Sequence, residues 1–221
     1  MNFHLLTIFP EILDSYFNES ILKRAQEKKL INIYRYNLRD WTTDKHQTVD
    51  DTPYGGGAGM VMKVDILYQA VEAIRSKVNV KNSKIILLSA KGKRWTQQTA
   101  QEYSQLDDVV FICGRYEGVD ERIINFIDEE VSIGDFVLTG GELGAAILID
   151  SIARLVPSTL GNAESAISES HSVKKLLEYP QYTRPEIFEA QGKKLAVPGV
   201  LLSGNHAEIE KWRQGKMRKI R

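Results

Sequence analysis

The chain has 221 residues, 43% of them hydrophobic, and its 29 Lys/Arg offset 29 Asp/Glu to a formal net charge of zero. That length holds one large domain with an appendage or two small ones, and that apolar content can bury a core. The single cysteine, Cys113, excludes a disulfide framework, and the neutral total gives no bulk argument for a nucleic-acid partner.

Along the chain, Phe3 to Phe9 reads as a buried strand stopped by Pro10. This N-terminal stretch lacks the basic start and small-residue cleavage site of a signal peptide. No apolar run reaches membrane-span length either, so a cytoplasmic protein with no membrane partner is expected. Residues 11–28 carry Ile12, Tyr16, Ile21 and Leu22 at helical spacing, which predicts one amphipathic helix with these residues on one face. Ile31 to Tyr36 alternates like a second strand. Residues 37–59 form a polar stretch long enough to suggest a functional loop. Helix 65–78, strand 84–88, helix 96–105, strand 109–113, helix 119–127, strand 130–138 and helix 142–156 then alternate, the pattern of a parallel α/β sheet. After Pro157 the texture changes: residues 158–173, rich in Ser, Ala, Gly and Asn, read as a linker, and 174–221 as a small domain. Charge is uneven along this order. Residues 107–135 hold nine acids and two arginines, whereas 204–221 hold six Lys/Arg and two acids.

Three predicted strands end in small residues: Ser89-Ala90-Lys91-Gly92, Gly114-Arg115-Tyr116-Glu117-Gly118 and Gly140-Gly141. Strand ends that open this way form a crevice, and such crevices bind ligands in open α/β sheets. No Gly-Lys-Ser/Thr follows, so this is not a phosphate loop, and the dinucleotide glycine spacing is not matched. The surrounding acids favour a neutral or cationic ligand. A further segment, Asp50-Asp51-Thr52-Pro53-Tyr54-Gly55-Gly56-Gly57-Ala58-Gly59, has four glycines in five residues, a costly run unless something approaches the backbone closely. His46 stands alone, no His/Cys cluster has metal-ligand spacing, and there is no Gly-x-Ser-x-Gly elbow.

The strings DDTPYGGGAGM, CGRYEGVDER, SIGDFVLTGGELGA and YPQYTRPE, in this order and spacing, closely resemble the bacterial tRNA (guanine-N1)-methyltransferases. These are knotted enzymes of the SPOUT class that use S-adenosylmethionine to methylate the guanosine immediately 3′ of the anticodon. The likeness runs from Phe3 to about Arg213. It implies a SPOUT-type α/β parallel sheet with a deep trefoil knot around 84–92, 109–118 and 130–144, and a small, mainly helical C-terminal tRNA-binding domain. It also implies a homodimer with its active site between subunits, and a requirement for Mg2+ at no site the acids Glu117, Asp120 and Asp135 define.

By motif, the resemblance assigns the S-adenosylmethionine contacts to Leu87, Leu88, Ser89, Gly114, Tyr116, Glu117, Ser132, Ile133, Gly134, Asp135, Phe136, Val137, Leu138, Gly140 and Gly141. It assigns substrate binding to Asp50, Gly55, Gly56, Gly57 and Gly59. Catalysis falls on Arg154 and on Glu169, which stands where the family has aspartate. Ala90 and Gly144 stand where the family often has proline, and many relatives continue with a further helical stretch after the residues that follow Trp212. Two other assignments fit the same residues: a related methyltransferase acting on another RNA, or a non-catalytic RNA- or nucleotide-binding protein that keeps the pocket.

Overall fold

The computed structural model describes residues 1–161, 170 and 176–219. The chain divides into two compact units, Met1–Ala163 and Glu164–Arg221.

The first unit is built on a five-stranded sheet. Its strands are β1 (Asn2–Thr7), β2 (Asn32–Asn37), β5 (Ser83–Arg94), β6 (Asp108–Cys113) and β7 (Glu129–Ser132), in the order β2-β1-β6-β5-β7. Every pairing in it is parallel. Helices cover both faces, which is why the central strands are apolar at consecutive positions rather than alternately. Along β6, Val109, Phe111 and Cys113 enter one core while Val110 and Ile112 enter the other. The first core is closed by α1 (Asp14–Phe17), α2 (Ser20–Glu27), α4 (Gln97–Tyr103) and α5 (Glu142–Ala153), through Phe17, Leu22, Ala100, Leu148 and Ile152 among others. The second core is closed by α3 (Val64–Arg75), which contributes Ile66, Leu67, Ala70, Val71 and Ile74 at helical spacing.

Several elements differ from the sequence expectation. Residues 11–28 form two helices, because the chain breaks after Phe17 and Ser20 takes a left-handed φ of 51°. Of the four residues expected on one buried face, only Leu22 is buried; Ile12, Tyr16 and Ile21 are exposed. The expected helix 119–127 is a 3₁₀ segment, Glu121–Phe126, capped by the Asp120 side chain. The expected strand 130–138 ends at Ser132, and residues 133–141 form an irregular connection. Strand β5 instead runs past Leu88 to Arg94, with a register irregularity between Leu88 and Lys93. Gly92 permits this: a Cβ there would lie 2.5 Å from the backbone of Glu130 and Val131.

Toward the amino ends of the strands, away from the glycine loops, His4 is buried and bonded on both ring nitrogens. Its Nε2 lies 3.1 Å from Asp108 Oδ1 and its Nδ1 3.1 Å from the Tyr36 hydroxyl. Asn2 adds a 2.9 Å donor to the same Asp108 oxygen. Burial pushes the His4 pKa below its usual value, against the pull of Asp108.

The second unit, expected to be mainly helical, combines helices with short strand pairs among the described residues. It carries α6 (Gly199–Leu202) and α7 (His206–Lys216), but also two strand pairs, β8 (Leu176–Leu177) with β11 (Arg218–Lys219) and β9 (Ile187–Ala190) with β10 (Lys193–Ala196). Gln191 and Gly192, both at positive φ, make the two-residue turn between β9 and β10. On α7, Trp212 meets Tyr182 edge-on at 6.2 Å, and Arg213 lies over the Tyr179 ring at 5.0 Å.

Candidate active site

The carboxyl ends of β5, β6 and β7 and the start of α5 enclose a cavity of about 480 Å³. That is a volume typical of cofactor sites. Of the residues assigned above to the methyl donor, all but Asp135 line it: Leu87, Leu88, Ser89, Gly114, Tyr116, Glu117, Ser132, Ile133, Gly134, Phe136, Val137, Leu138, Gly140 and Gly141. Asp135 points outward and is paired with Arg94 at 3.0 Å. Arg115, Glu130 and Thr139 also line the cavity, and motif reasoning had assigned them no role.

Glycine is needed where the walls meet. Gly141 caps α5 and donates its N–H to the Gly114 carbonyl at 2.9 Å, and a Cβ on it would lie 2.8 Å from the Cys113 Cα. Gly140 packs against the Arg115 guanidinium, 2.2 Å from where its Cβ would be. Such contact leaves backbone amides and carbonyls, not side chains, facing the cavity at these points.

The substrate-assigned segment is an antiparallel pair of two-residue strands, β3 (Asp50–Asp51) and β4 (Val61–Met62), closed by the glycine run. Gly55, Gly56, Gly57 and Gly59 all have positive φ, between 78° and 124°. The hairpin is tied to the loop after β6: Glu117 N donates to Met60 O, Met62 N to Gly118 O, and Asp120 N to Met62 O, each at 3.0 Å. Asp50 and Arg39 face the Tyr116 hydroxyl, and burial together with the Asp50 carboxylate raises that phenol's pKa. Tyr116 itself is held at a left-handed φ of 61°. The loop assigned to the donor and the loop assigned to the RNA are thus one hydrogen-bonded body.

Arg154 is the C-cap residue of α5, half-buried, with its N–H on the Asp150 carbonyl at 3.2 Å. Glu169 lies outside the described residues. Among the described residues no group of three or more His, Cys, Asp or Glu could hold a metal ion. Asp120 is engaged by Arg122 at 2.6 Å, which holds its pKa below the usual range, and Asp135 by Arg94. Among those residues, too, no helix is long and apolar enough to cross a membrane.

Beside the cavity runs an exposed apolar groove lined by Ile12, Tyr16, Phe136, Leu138, Leu143 and Ile147. It shares Phe136 and Leu138 with the cavity wall. Of the residues predicted for one helix face, Ile12 and Tyr16 lie here.

A parallel α/β sheet with a glycine-walled cavity at its strand ends, laced to a second glycine hairpin, is an architecture suited to an α/β enzyme with a small-molecule site. The sequence model of the family described as tRNA (Guanine-1)-methyltransferase TrmD matches residues 1–220, and the chain belongs to that family. It is similar to proteins named tRNA (guanine-N(1)-)-methyltransferase from several bacteria. The Citrifermentans bemidjiense protein is 54% identical over 97% of this chain and 84% of its own length. The Clostridioides difficile protein is 52% identical over 97% and 91%, and that of Caldanaerobacter subterraneus 50% over 100% and 88%. The chain is therefore a methyltransferase of tRNA guanine N1, with S-adenosylmethionine as the donor that its family uses.

Proposed function

We propose that the enzyme methylates N1 of the guanosine immediately 3′ of the anticodon, with Glu169 as general base and Arg154 as the group that steadies the developing charge on guanine O6. The observation that carries this reading is the cavity: its walls are the segments the family motifs assign to the donor, and they are bonded to the hairpin assigned to the RNA. The cavity suits an adenosyl group with a short charged tail, since Leu87, Leu88, Ile133 and Leu138 offer apolar cover and the glycine turns offer backbone donors and acceptors. S-adenosylmethionine, when bound, supplies an electrophilic methyl on a sulfonium sulfur. Guanine N1 carries a proton at neutral pH, so a base must remove it as the new bond forms. Glu169 takes that proton, and the Arg154 guanidinium meets the negative charge that builds on O6.

Asp50 and the backbone of Gly55, Gly56, Gly57 and Gly59 hold the guanosine, flipped from its stack, and its neighbour. The two subunits of a homodimer meet on the apolar groove of Ile12, Tyr16, Leu143 and Ile147, a surface too apolar to leave in water and continuous with the cavity wall. One knotted unit, residues 1–157, then supplies the donor site. Residues 158–173 link it to residues 174–221, whose Lys211, Arg213, Lys216, Arg218, Lys219 and Arg221 contact RNA phosphates. The trefoil knot around 84–92, 109–118 and 130–144 belongs to this reading through the resemblance to the family. Cytoplasmic location follows from the substrate. Magnesium dependence belongs to the reading too, but no described cluster fits the ion, so no step here runs through it.

The test is transfer of labelled methyl to a tRNA transcript with guanosine 3′ of the anticodon, against one with adenosine there. Label only on the guanosine transcript, falling on the order of 100-fold or more in Glu169→Gln, is the expected result. Equal labelling of both transcripts refutes the position, and an unaffected Gln variant refutes the base.

A further inference from the structure

Arg115 in the cavity wall is paired with Glu142 buried behind it, and neither the donor chemistry nor the RNA accounts for that pair. Glu142, in the first turn of α5, has a side chain only 2% exposed. Arg115 Nε donates to its Oε1 at 3.1 Å, and Arg115 Nη2 lies 2.9 Å from Oε2 in a charge contact. The Thr7 hydroxyl at the end of β1 donates to the same Oε1 at 2.7 Å and accepts from Phe9 N at 3.0 Å. Arg115 also donates Nη1 to the Thr139 carbonyl at 3.3 Å, and its guanidinium sits 4.8 Å over the Phe9 ring. One cation thus joins the end of β1, the loop after β6 and the turn before α5.

Buried ion pairs are a poor route to stability, since apolar residues of the same volume often serve as well. This pair does something apolar residues would not. Arg115 lines the cavity, where its backbone and the Thr139–Gly141 turn form one wall. An unpaired guanidinium there would repel a cationic ligand, because a cavity of about 480 Å³ is only on the order of 10 Å across and charges interact strongly over such distances.

Resting on the proposed donor site, we infer that Arg115 and Glu142 are positioning residues. The guanidinium fixes the Thr139–Gly141 turn through its carbonyl, and the Glu142 carboxylate neutralises that guanidinium so that the turn can be held beside a sulfonium. The pair therefore bears on the charge of the ligand and not only on its shape.

The experiment is calorimetric titration of the whole protein with S-adenosylmethionine, a sulfonium, and S-adenosylhomocysteine, its neutral thioether. In Glu142→Gln the guanidinium is left uncompensated, and the sulfonium should lose on the order of tenfold more affinity than the thioether. The double variant Arg115→Met/Glu142→Leu removes both charges and guards against a single variant that fails to fold. It should return the ratio of the two affinities to the wild-type value while weakening both ligands by several fold, because Thr139 loses its donor. Equal losses for the two ligands in Glu142→Gln, or a double variant that keeps the skewed ratio, would overturn the inference. Ser89→Trp, which fills the cavity, separates this from failure of the site: if it leaves both affinities unchanged, the donor does not bind here at all.

Discussion

Replacing Gly141 by alanine tests whether backbone contact between α5 and β6 shapes the donor cavity. Its φ of −76° and ψ of −13° suit any residue, so conformation alone would make Gly141→Ala stabilising by roughly 0.4–1 kcal/mol. Space decides otherwise. The new Cβ would stand 2.8 Å from the Cys113 Cα, 3.1 Å from the Gly114 N and 3.1 Å from the Leu88 Cβ. Carbon contacts settle at about 3.5–4.0 Å, so the start of α5 must retreat by roughly 0.7–1.2 Å. Overpacking of this kind costs about 1–3 kcal/mol, for a net loss of roughly 0–2.5 kcal/mol once the conformational gain is set against it. At about 2–4 °C per kcal/mol, the melting temperature should fall by up to roughly 10 °C. The larger effect falls on the ligand, because Leu88, Gly114 and Gly141 all line its cavity and a displacement of about 1 Å can cost on the order of 100-fold in rate. Calorimetric affinity for S-adenosylhomocysteine, single-turnover methyl transfer and a thermal melt measure the three consequences. A variant that binds within twofold of wild type and melts at or above it would refute the steric argument.

Tyr116→Phe removes the hydroxyl that faces Asp50, so KM for tRNA should rise about three- to tenfold with donor affinity held within twofold, as steady-state kinetics with each substrate varied will show. Phe111→Ala empties a fully buried ring site between the sheet and its helices, and should cost about 3–5 kcal/mol in denaturant unfolding. The buried His4 has a folded pKa below its unfolded value, so its contribution to stability is present above about pH 6.5 and lost as pH falls through the folded pKa. Thermal melts between pH 5 and 8 should show that acid-side decline, with the decline flattened in His4→Gln. Arg154→Lys keeps a cation but not its planar fork, and should lower kcat at least tenfold while leaving the affinity for S-adenosylhomocysteine unchanged.

The sheet and the cavity were legible in the sequence to different depths. Strands such as 109–113 could be read because a strand covered on both faces is a continuous apolar run with sharp ends. The glycine turns could be read because their close approaches tolerate no side chain. The single helix expected over 11–28 differs from the structure because Ile12, Tyr16 and Ile21 follow helical spacing but face outward, and periodicity cannot say what covers an apolar stripe. The strand expected over 130–138 stops short at Ser132 because Phe136, Val137 and Leu138, apolar like strand residues, are exposed around the cavity and the groove. Arg115 and Glu142 went without a role because 27 residues separate them, and a pair across two loops has no local signature.

The placement of β1 bears on how the chain is made. The first strand lies inside the sheet, and one of its neighbours is β6, so Asn2 sits beside Asp108. A nascent chain leaving the ribosome exposes Phe3, Leu5 and Leu6 long before the strand that covers them has been synthesised. Parallel pairing across such sequence separations is slow to form and open to aggregation meanwhile. Newly made chains should therefore depend on holding chaperones until at least β6 has emerged, and ribosome-bound fragments that stop short of residue 108 should remain sensitive to protease.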